Sequence, residues 1–202
     1  MRRVVLGVVG ALSLGVAAYA AAVYALLPVG QMVHPDMRAG FAAQRLGIYA
    51  HVFGSAFALA LGPLQFSARL RARNVAVHRW LGRLYLGVGV LVGGSAGLYM
   101  AVHAFGGIVS KLGFGCLAVL WLFTGLRAYL AIRAREVAAH RRWMVRNFAL
   151  TFAAVTLRIY LPGSVAAGIP FEVAYPAIAW LCWVPNLVAV EVLAVRRAHP
   201  EA

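Results

Sequence analysis

Two histidines occupy equivalent places in a duplicated stretch of this chain. Residues 71–79 read RARNVAVHR and residues 133–141 read RAREVAAHR, identical at seven of nine positions. Trp80 and Arg83 are answered by Trp143 and Arg146 after one inserted arginine. If both copies lead into helices crossing the same layer, the imidazoles of His78 and His140 come to one depth and face one another. Two opposed imidazoles are what a b-type haem takes as axial metal ligands, with Arg83 and Arg146 available for its propionates. The plainer reading uses the same residues without iron, as interfacial histidines in basic turns that bind lipid phosphate or cap a helix.

Other groups invite the same scrutiny. His51 shares a helical face with Gly47, Gly54, Ser55, Ala58 and Gly62. A histidine in a trough of small residues suits a flat cofactor lying deeper, but small residues line ordinary membrane helix contacts too, which favours a hydrogen-bonded histidine at a tight helix crossing. Arg45, Arg127 and Arg158 fall inside apolar runs, where ionisable side chains are costly and mark functional candidates. Arginines near run ends, such as Arg83, Arg127 and Arg146, also reach the interface by snorkelling. Arg45 and Arg158 lie toward the side poor in positive charge, where acids are too few to pair them. Residues 93–97, GGSAG, match G-x-S-x-G, but that motif needs a strand-to-helix elbow and here sits mid-helix. Cys116 and Cys182 belong to no C-x-x-C, so buried free thiols are expected.

The elements that position these groups follow from composition. Of 202 residues, 63% are hydrophobic and 12% charged, about half the charged share of a soluble domain. A helix crossing ~30 Å of hydrocarbon needs ~20 apolar residues, and six stretches supply them: 4–27, 41–65, 80–104, 112–132, 143–162 and 173–195. Ala18-Tyr19-Ala20 looks like a signal-peptidase site, but the apolar run continues to Leu27, so a retained helix is expected. No linker divides the chain, which reads as one integral membrane domain over 1–202.

Charge sets the orientation. Nineteen Lys and Arg against five Asp and Glu would suggest nucleic acid in a soluble protein. Here fifteen of the nineteen fall on one side and four (Arg38, Arg45, Lys111, Arg158) on the other. The positive-inside rule then predicts a multi-pass protein of the cell membrane with both termini cytoplasmic, its basic side favouring anionic lipid headgroups and no nucleic acid. Both repeat copies join an inward-running helix to an outward-running one, so the repeat is parallel. The expected fold is all-α: a six-helix transmembrane bundle in which helices 2–3 and 4–5 form a four-helix core about an axis along the membrane normal, flanked by helices 1 and 6. Helix three, rich in glycine and carrying Gly93 and Gly97 as GxxxG, is expected inside the bundle. Pro176 and Pro185 are expected to kink helix six.

Several runs also carry a resemblance: Leu61-Gly62-Pro63-Leu64-Gln65-Phe66, His78-Arg79-Trp80-Leu81-Gly82-Arg83-Leu84-Tyr85, His140-Arg141-Arg142-Trp143-Met144-Val145-Arg146, Leu157-Arg158-Ile159-Tyr160-Leu161-Pro162 and Trp180-Leu181-Cys182-Trp183-Val184-Pro185-Asn186. Over roughly 41–195 they resemble a family of multi-pass membrane proteins catalogued as a domain of unknown function. That family is distantly similar to two-haem b-type membrane cytochromes, which place histidine pairs on four core helices. The resemblance implies a membrane fold and no established activity. The fourth stretch has no histidine, which departs from the two-haem pattern and leaves one haem as the expectation.

The lead functional expectation is therefore a b-type-cytochrome-like protein that binds haem b through His78 and His140, with His51 as fallback, or passes electrons to quinone near the cytoplasmic face. Two alternatives stay open: a non-catalytic accessory subunit of a larger membrane complex, and a small-molecule transporter. Against the transporter, prolines are not repeated in both halves and intramembrane carboxylates are few. The topology is testable directly. Single cysteines replacing Ala72 and Gly107 should react with impermeant reagents from opposite sides of the membrane. Labelling of both from one side would reject the six-crossing arrangement.

Overall fold

In the absence of water, a lipid-embedded backbone must satisfy its own N–H and C=O groups, and helices do so within one segment. The computed structural model, described here over residues 2–198, obeys that constraint: it is helical almost throughout, with no strand among the described residues. Six helices are long and apolar enough to cross a membrane: span 1, Val4–Leu26; span 2, Arg45–Gln65; span 3, Val75–Val102; span 4, Gly107–Arg133; span 5, Val137–Ala166; and span 6, Phe171–Ala194. Six crossings put the start of span 1 and the end of span 6 on one face, together with the 66–74 and 134–136 connectors. We call it the terminal face, and the other the far face.

Some boundaries differ from the sequence expectation, for local reasons. Phe41–Ala43 do not open span 2. They end a separate short helix, Pro35–Ala43, and the chain turns at Gln44 before span 2 begins. Spans 3 and 5 start five and six residues earlier than the apolar runs (75 against 80, 137 against 143). Their first turns carry arginines and histidines that keep a helix at the membrane boundary without adding to the hydrophobic run. Span 6 is interrupted at Cys182–Trp183, between Phe171–Leu181 and Val184–Ala198. Pro185 has no N–H to donate there, whereas Pro176 leaves its helix unbroken.

Spans 2, 3, 4 and 5 form a ring, each packed on the next and span 5 closing onto span 2. Span 1 lies on spans 2 and 5, and span 6 on spans 4 and 5. Glycine sets the closest approach. A Cβ on Gly54 would stand 2.8 Å from the Gly93 backbone, and one on Gly89 would stand 2.7 Å from Ala58 Cβ. Spans 2 and 3 therefore cross almost backbone to backbone, as small-residue interfaces permit. Beside this crossing span 3 is not α-helical: Tyr85–Val92 forms a π-helix, an uncommon conformation that recurs at functional sites.

Spans 3, 4 and 5 are joined by a polar network. Tyr85 and Asn147 are fully buried, and Tyr85 Oη donates to Asn147 Oδ1 at 2.7 Å. Asn147 Nδ2 donates to Trp121 O at 2.7 Å and to Thr124 Oγ1 at 2.9 Å. Trp121 Nε1 donates to Thr151 Oγ1 at 2.9 Å, which also lies 2.9 Å from Tyr85 Oη. Asn147→Leu strips three partners at once and should cost roughly 1–3 kcal/mol in reversible detergent unfolding. Tyr85→Phe leaves Asn147 bonded to span 4 and should cost only about 0.6 kcal/mol, the average for a membrane hydrogen bond. Equal losses would mean that Asn147 is not the centre of the network.

Candidate functional site

The two similar nine-residue stretches each lead into a helix, by different turns. In the first, Ser67 Oγ accepts from Leu70 N at 3.2 Å, capping the helix Ala68–Arg73, and Asn74 Oδ1 accepts from Val77 N at 3.0 Å to open span 3. In the second, span 4 runs on to Arg133, Arg135 takes φ 63°, and Glu136 N donates to Ala131 O at 2.9 Å before span 5 opens at Val137. His78 and His140 both sit in the first turn of their spans, bonded through their backbone N–H to Asn74 O and Glu136 O.

Register then aligns them. Tyr85 and Asn147, which touch across the core, lie seven residues beyond His78 and His140 respectively. Seven α-helical residues are about two turns and ~10 Å, so each histidine occupies the face of its helix that carries the Tyr85–Asn147 bond. Both histidines thus start from the helix faces turned to the seam between spans 3 and 5, one level nearer the terminal face, and the His140 ring reaches from there to span 4. Arg71, Arg79 and His140 all lie close enough for their charge to be felt at His78.

Hydrogen bonding distinguishes the two rings. His140 Nδ1 lies 2.9 Å from Ala128 O on span 4. A carbonyl only accepts, so Nδ1 carries a proton and Nε2 is the nitrogen left to face a ligand. His78 Nδ1 is buried without a hydrogen-bond partner among the described residues, and so is Nε2 of Gln65 at the end of span 2. The Gln65 side chain reaches span 3 one turn from His78: its Oε1 lies 3.1 Å from where a Cβ on Gly82 would stand. Arg71 Nη1 donates to Gln65 O at 2.9 Å, holding the connector over this place. The terminal face therefore carries two half-buried imidazoles, a buried amide donor and two arginines.

The other residues singled out from sequence are placed elsewhere. Arg146 is not free for a propionate: its fork binds Glu191 of span 6, Nε to Oε1 at 2.5 Å and Nη2 to Oε2 at 2.7 Å. Its guanidinium lies 5.0 Å from the Trp143 ring, and that of Arg127 lies 5.2 Å from the same ring. Arg83 stacks on Trp80 at 5.0 Å. His51 is a crossing residue, its Nδ1 2.9 Å from Gly93 O on span 3, and a Cβ on Gly97 would stand 2.8 Å from that nitrogen. The glycines of the GxxxG pair thus make room for span 2 and for its histidine. Ser95 is exposed and makes no hydrogen bond to His51 among the described residues. Arg158 Nη1 donates to Ala154 O of its own helix at 3.0 Å. Cys116 and Cys182 are free.

Asn147, Tyr85 and Gln65 were missed from sequence. Asn147 had a signal: a carboxamide within an apolar run, two turns from a candidate histidine, needs a partner in the bundle. Gln65 had none, because a polar residue at a span end is ordinary.

A family model described as a predicted membrane protein (DUF2306) matches residues 48–194. No curated protein and no solved structure gives a match.

The Arg146–Glu191 pair makes a prediction that is separate from any cofactor. Arg146→Gln or Glu191→Gln alone leaves one charge without its partner, while the double variant removes both. The two single losses should together exceed the loss of the double variant by a coupling of roughly 1 kcal/mol in a double-mutant cycle. Strict additivity would show that the pair is not energetically engaged.

Proposed function

The chain belongs to the DUF2306 family of predicted membrane proteins, and within that family we propose that it is a b-type-cytochrome-like protein holding a haem between spans 3 and 5 at the terminal face. The observation that carries this reading is the placement of His78 and His140 on one seam, two turns below the Tyr85–Asn147 bond. Three further features support it. His140 is oriented by a carbonyl on Nδ1, the usual outer-shell arrangement for a histidine that ligates through its other nitrogen. Spans 3 and 5 meet mainly through side chains rather than through close backbone contact, so a flat group does not have to displace main chain. Arg71, Arg79 and the buried Nε2 of Gln65 supply donors for carboxylates, the role that Arg146 gives up to Glu191.

His78 and His140 would hold the haem, which would supply one-electron transfer. The protein's own part is to orient the His140 imidazole through Ala128 O, to neutralise the carboxylates, and to keep the deeper seam dry with the Tyr85–Asn147 network. A membrane quinone is the chemically matched electron partner for a site at the bilayer boundary. The fifteen-to-four distribution of basic residues makes the terminal face the cytoplasmic one in this proposal.

A second reading is favoured by the two arginines beside His78: a site for the phosphate of an anionic lipid, using the same imidazoles as hydrogen-bonding groups. One experiment separates the two. Protein expressed with ample haem and purified in mild detergent should show a Soret band and, on dithionite reduction, the sharp α-band of a low-spin b-type centre. His78→Ala or His140→Ala should abolish the bands while the protein still inserts and retains its helical circular dichroism. Colourless wild-type protein carrying stoichiometric phospholipid would reject the haem reading and favour the phosphate one.

A further inference from the structure

A second feature lies on the opposite half of the bundle and makes no use of the histidine pair. On the far face a cavity of about 480 Å³ is lined by Gln44, Arg45, Gly47, Ala50, Ala96 and Tyr99. Tyr99 Oη donates to Gln44 Oε1, tying the end of span 3 to the start of span 2. Deeper in the bundle a second cavity of about 630 Å³ is walled by Leu14 and Ala17 of span 1, Phe53 and Phe57 of span 2, and Val88 and Val92 of span 3. Ala50 lines both. The two cavities are one groove.

Helix geometry shows the continuity. On span 2, Leu46, Ala50, Phe53, Phe57 and Ala60 recur at three- and four-residue steps, forming one stripe. On span 3 the matching stripe is Tyr99, Ala96, Val92 and Val88, running the opposite way. Arg45 to Ala60 is fifteen steps, so the groove is about 22 Å long, more than half of a ~30 Å hydrocarbon core. Its walls are exposed along that length: Leu14 by 54%, Phe53 by 40%, Val88 by 44% and Val92 by 47%. The groove is therefore polar and cationic at the membrane boundary and apolar below.

We infer that this groove binds an anionic phospholipid of the far-face leaflet, with the phosphate on Arg45 and one acyl chain laid along span 2. Charge complementarity identifies the occupant. Arg45 is exposed and makes no ion pair among the described residues. No acidic residue lines either cavity. At the first residue of span 2, Arg45 adds its charge to the positive end of the helix dipole. A zwitterionic headgroup would bring a cation of its own against this pole. A fatty-chain phosphate brings a net negative charge and fills the trough beneath it.

The test uses purified protein in nanodiscs with phosphatidylglycerol carrying a photoreactive group in its acyl chain. Irradiation should label the peptides containing Phe53, Phe57, Val88 and Val92. Unlabelled phosphatidylglycerol should compete about fivefold better than phosphatidylcholine, the ratio that ~1 kcal/mol for one basic residue implies. Arg45→Gln should remove that preference and leave chain labelling in place, while Lys111→Gln, on the same face outside the groove, should change nothing. Ala50→Phe, at the junction of the two cavities, should suppress the labelling itself. Label spread evenly over spans 4 and 6 would overturn the inference, as would equal competition by the two lipids or an unaltered preference in Arg45→Gln.

Discussion

The bundle is organised around one buried carboxamide. Asn147 joins spans 3, 4 and 5 through Tyr85, Trp121 and Thr124, and every polar atom of its side chain is engaged. In a membrane the greasy faces of helices gain little by meeting one another, because lipid is as apolar as leucine. A carboxamide in that medium has no such indifference, since an unmade hydrogen bond there costs the full desolvation of the group. The contact fixes both the rotation of span 5 and its height against span 3. The placement of His78 and His140 two turns away follows from that register, so the candidate site inherits its geometry from a residue that is not part of it.

The irregularities of the helices fit this requirement. The π-helix of span 3 begins at Tyr85 and ends at Val92, beside the place where Gly54 and Gly93 bring spans 2 and 3 together. A wider turn there lets one helix meet two demands that a uniform α-helix would place out of phase, namely a tyrosine turned to span 5 and glycines turned to span 2. Span 5 is interrupted at Phe152, directly after Thr151 of the network, and span 6 at Cys182–Trp183. Asn186 bridges the two breaks, its Nδ2 donating to Thr156 Oγ1 at 2.9 Å and to Cys182 O at 3.0 Å. Backbone polar groups released by a break in lipid need such a side chain.

What the sequence conveys is governed by how local each signal is. The spans are visible because twenty apolar residues in a row have few other uses, and the Pro185 break because a missing N–H acts on its own turn. The glycine-rich character of span 3 announces a close crossing. That Gly54 is its counterpart depends on the relative rotation of two helices, which no run of residues reports. Each of the two similar stretches contains a helix start, at Val75 and Val137, while the turns before them diverge: a capped short helix at Ala68–Arg73 in one and a left-handed Arg135 in the other. Arg146 misled for the same reason. Its repeat position is equivalent to that of Arg83, but Glu191 reaches it from a span outside the repeat, and nothing within residues 133–146 foretells that partner.

The two faces of the bundle treat positive charge differently, and the contrast bears on function. Terminal-face guanidiniums lie over aromatic rings, Arg83 on Trp80 and Arg127 and Arg146 on Trp143, and Arg146 also holds a carboxylate. Such contacts offset desolvation from within the protein. Arg71 and Arg79 stand apart from these pairs and lie close to His78. On the far face Arg158 leans on a carbonyl of its own helix and Arg45 has no carboxylate among the described residues. An arginine at the centre of a span costs ~2.5–3.5 kcal/mol on insertion scales, less near the boundary. Arg45 sits at the boundary, where that cost is small enough for the charge to remain available to an anion arriving from the membrane. Arg146 thus completes its charge within the protein, whereas Arg45 is left facing a groove where a bound anion can complete it.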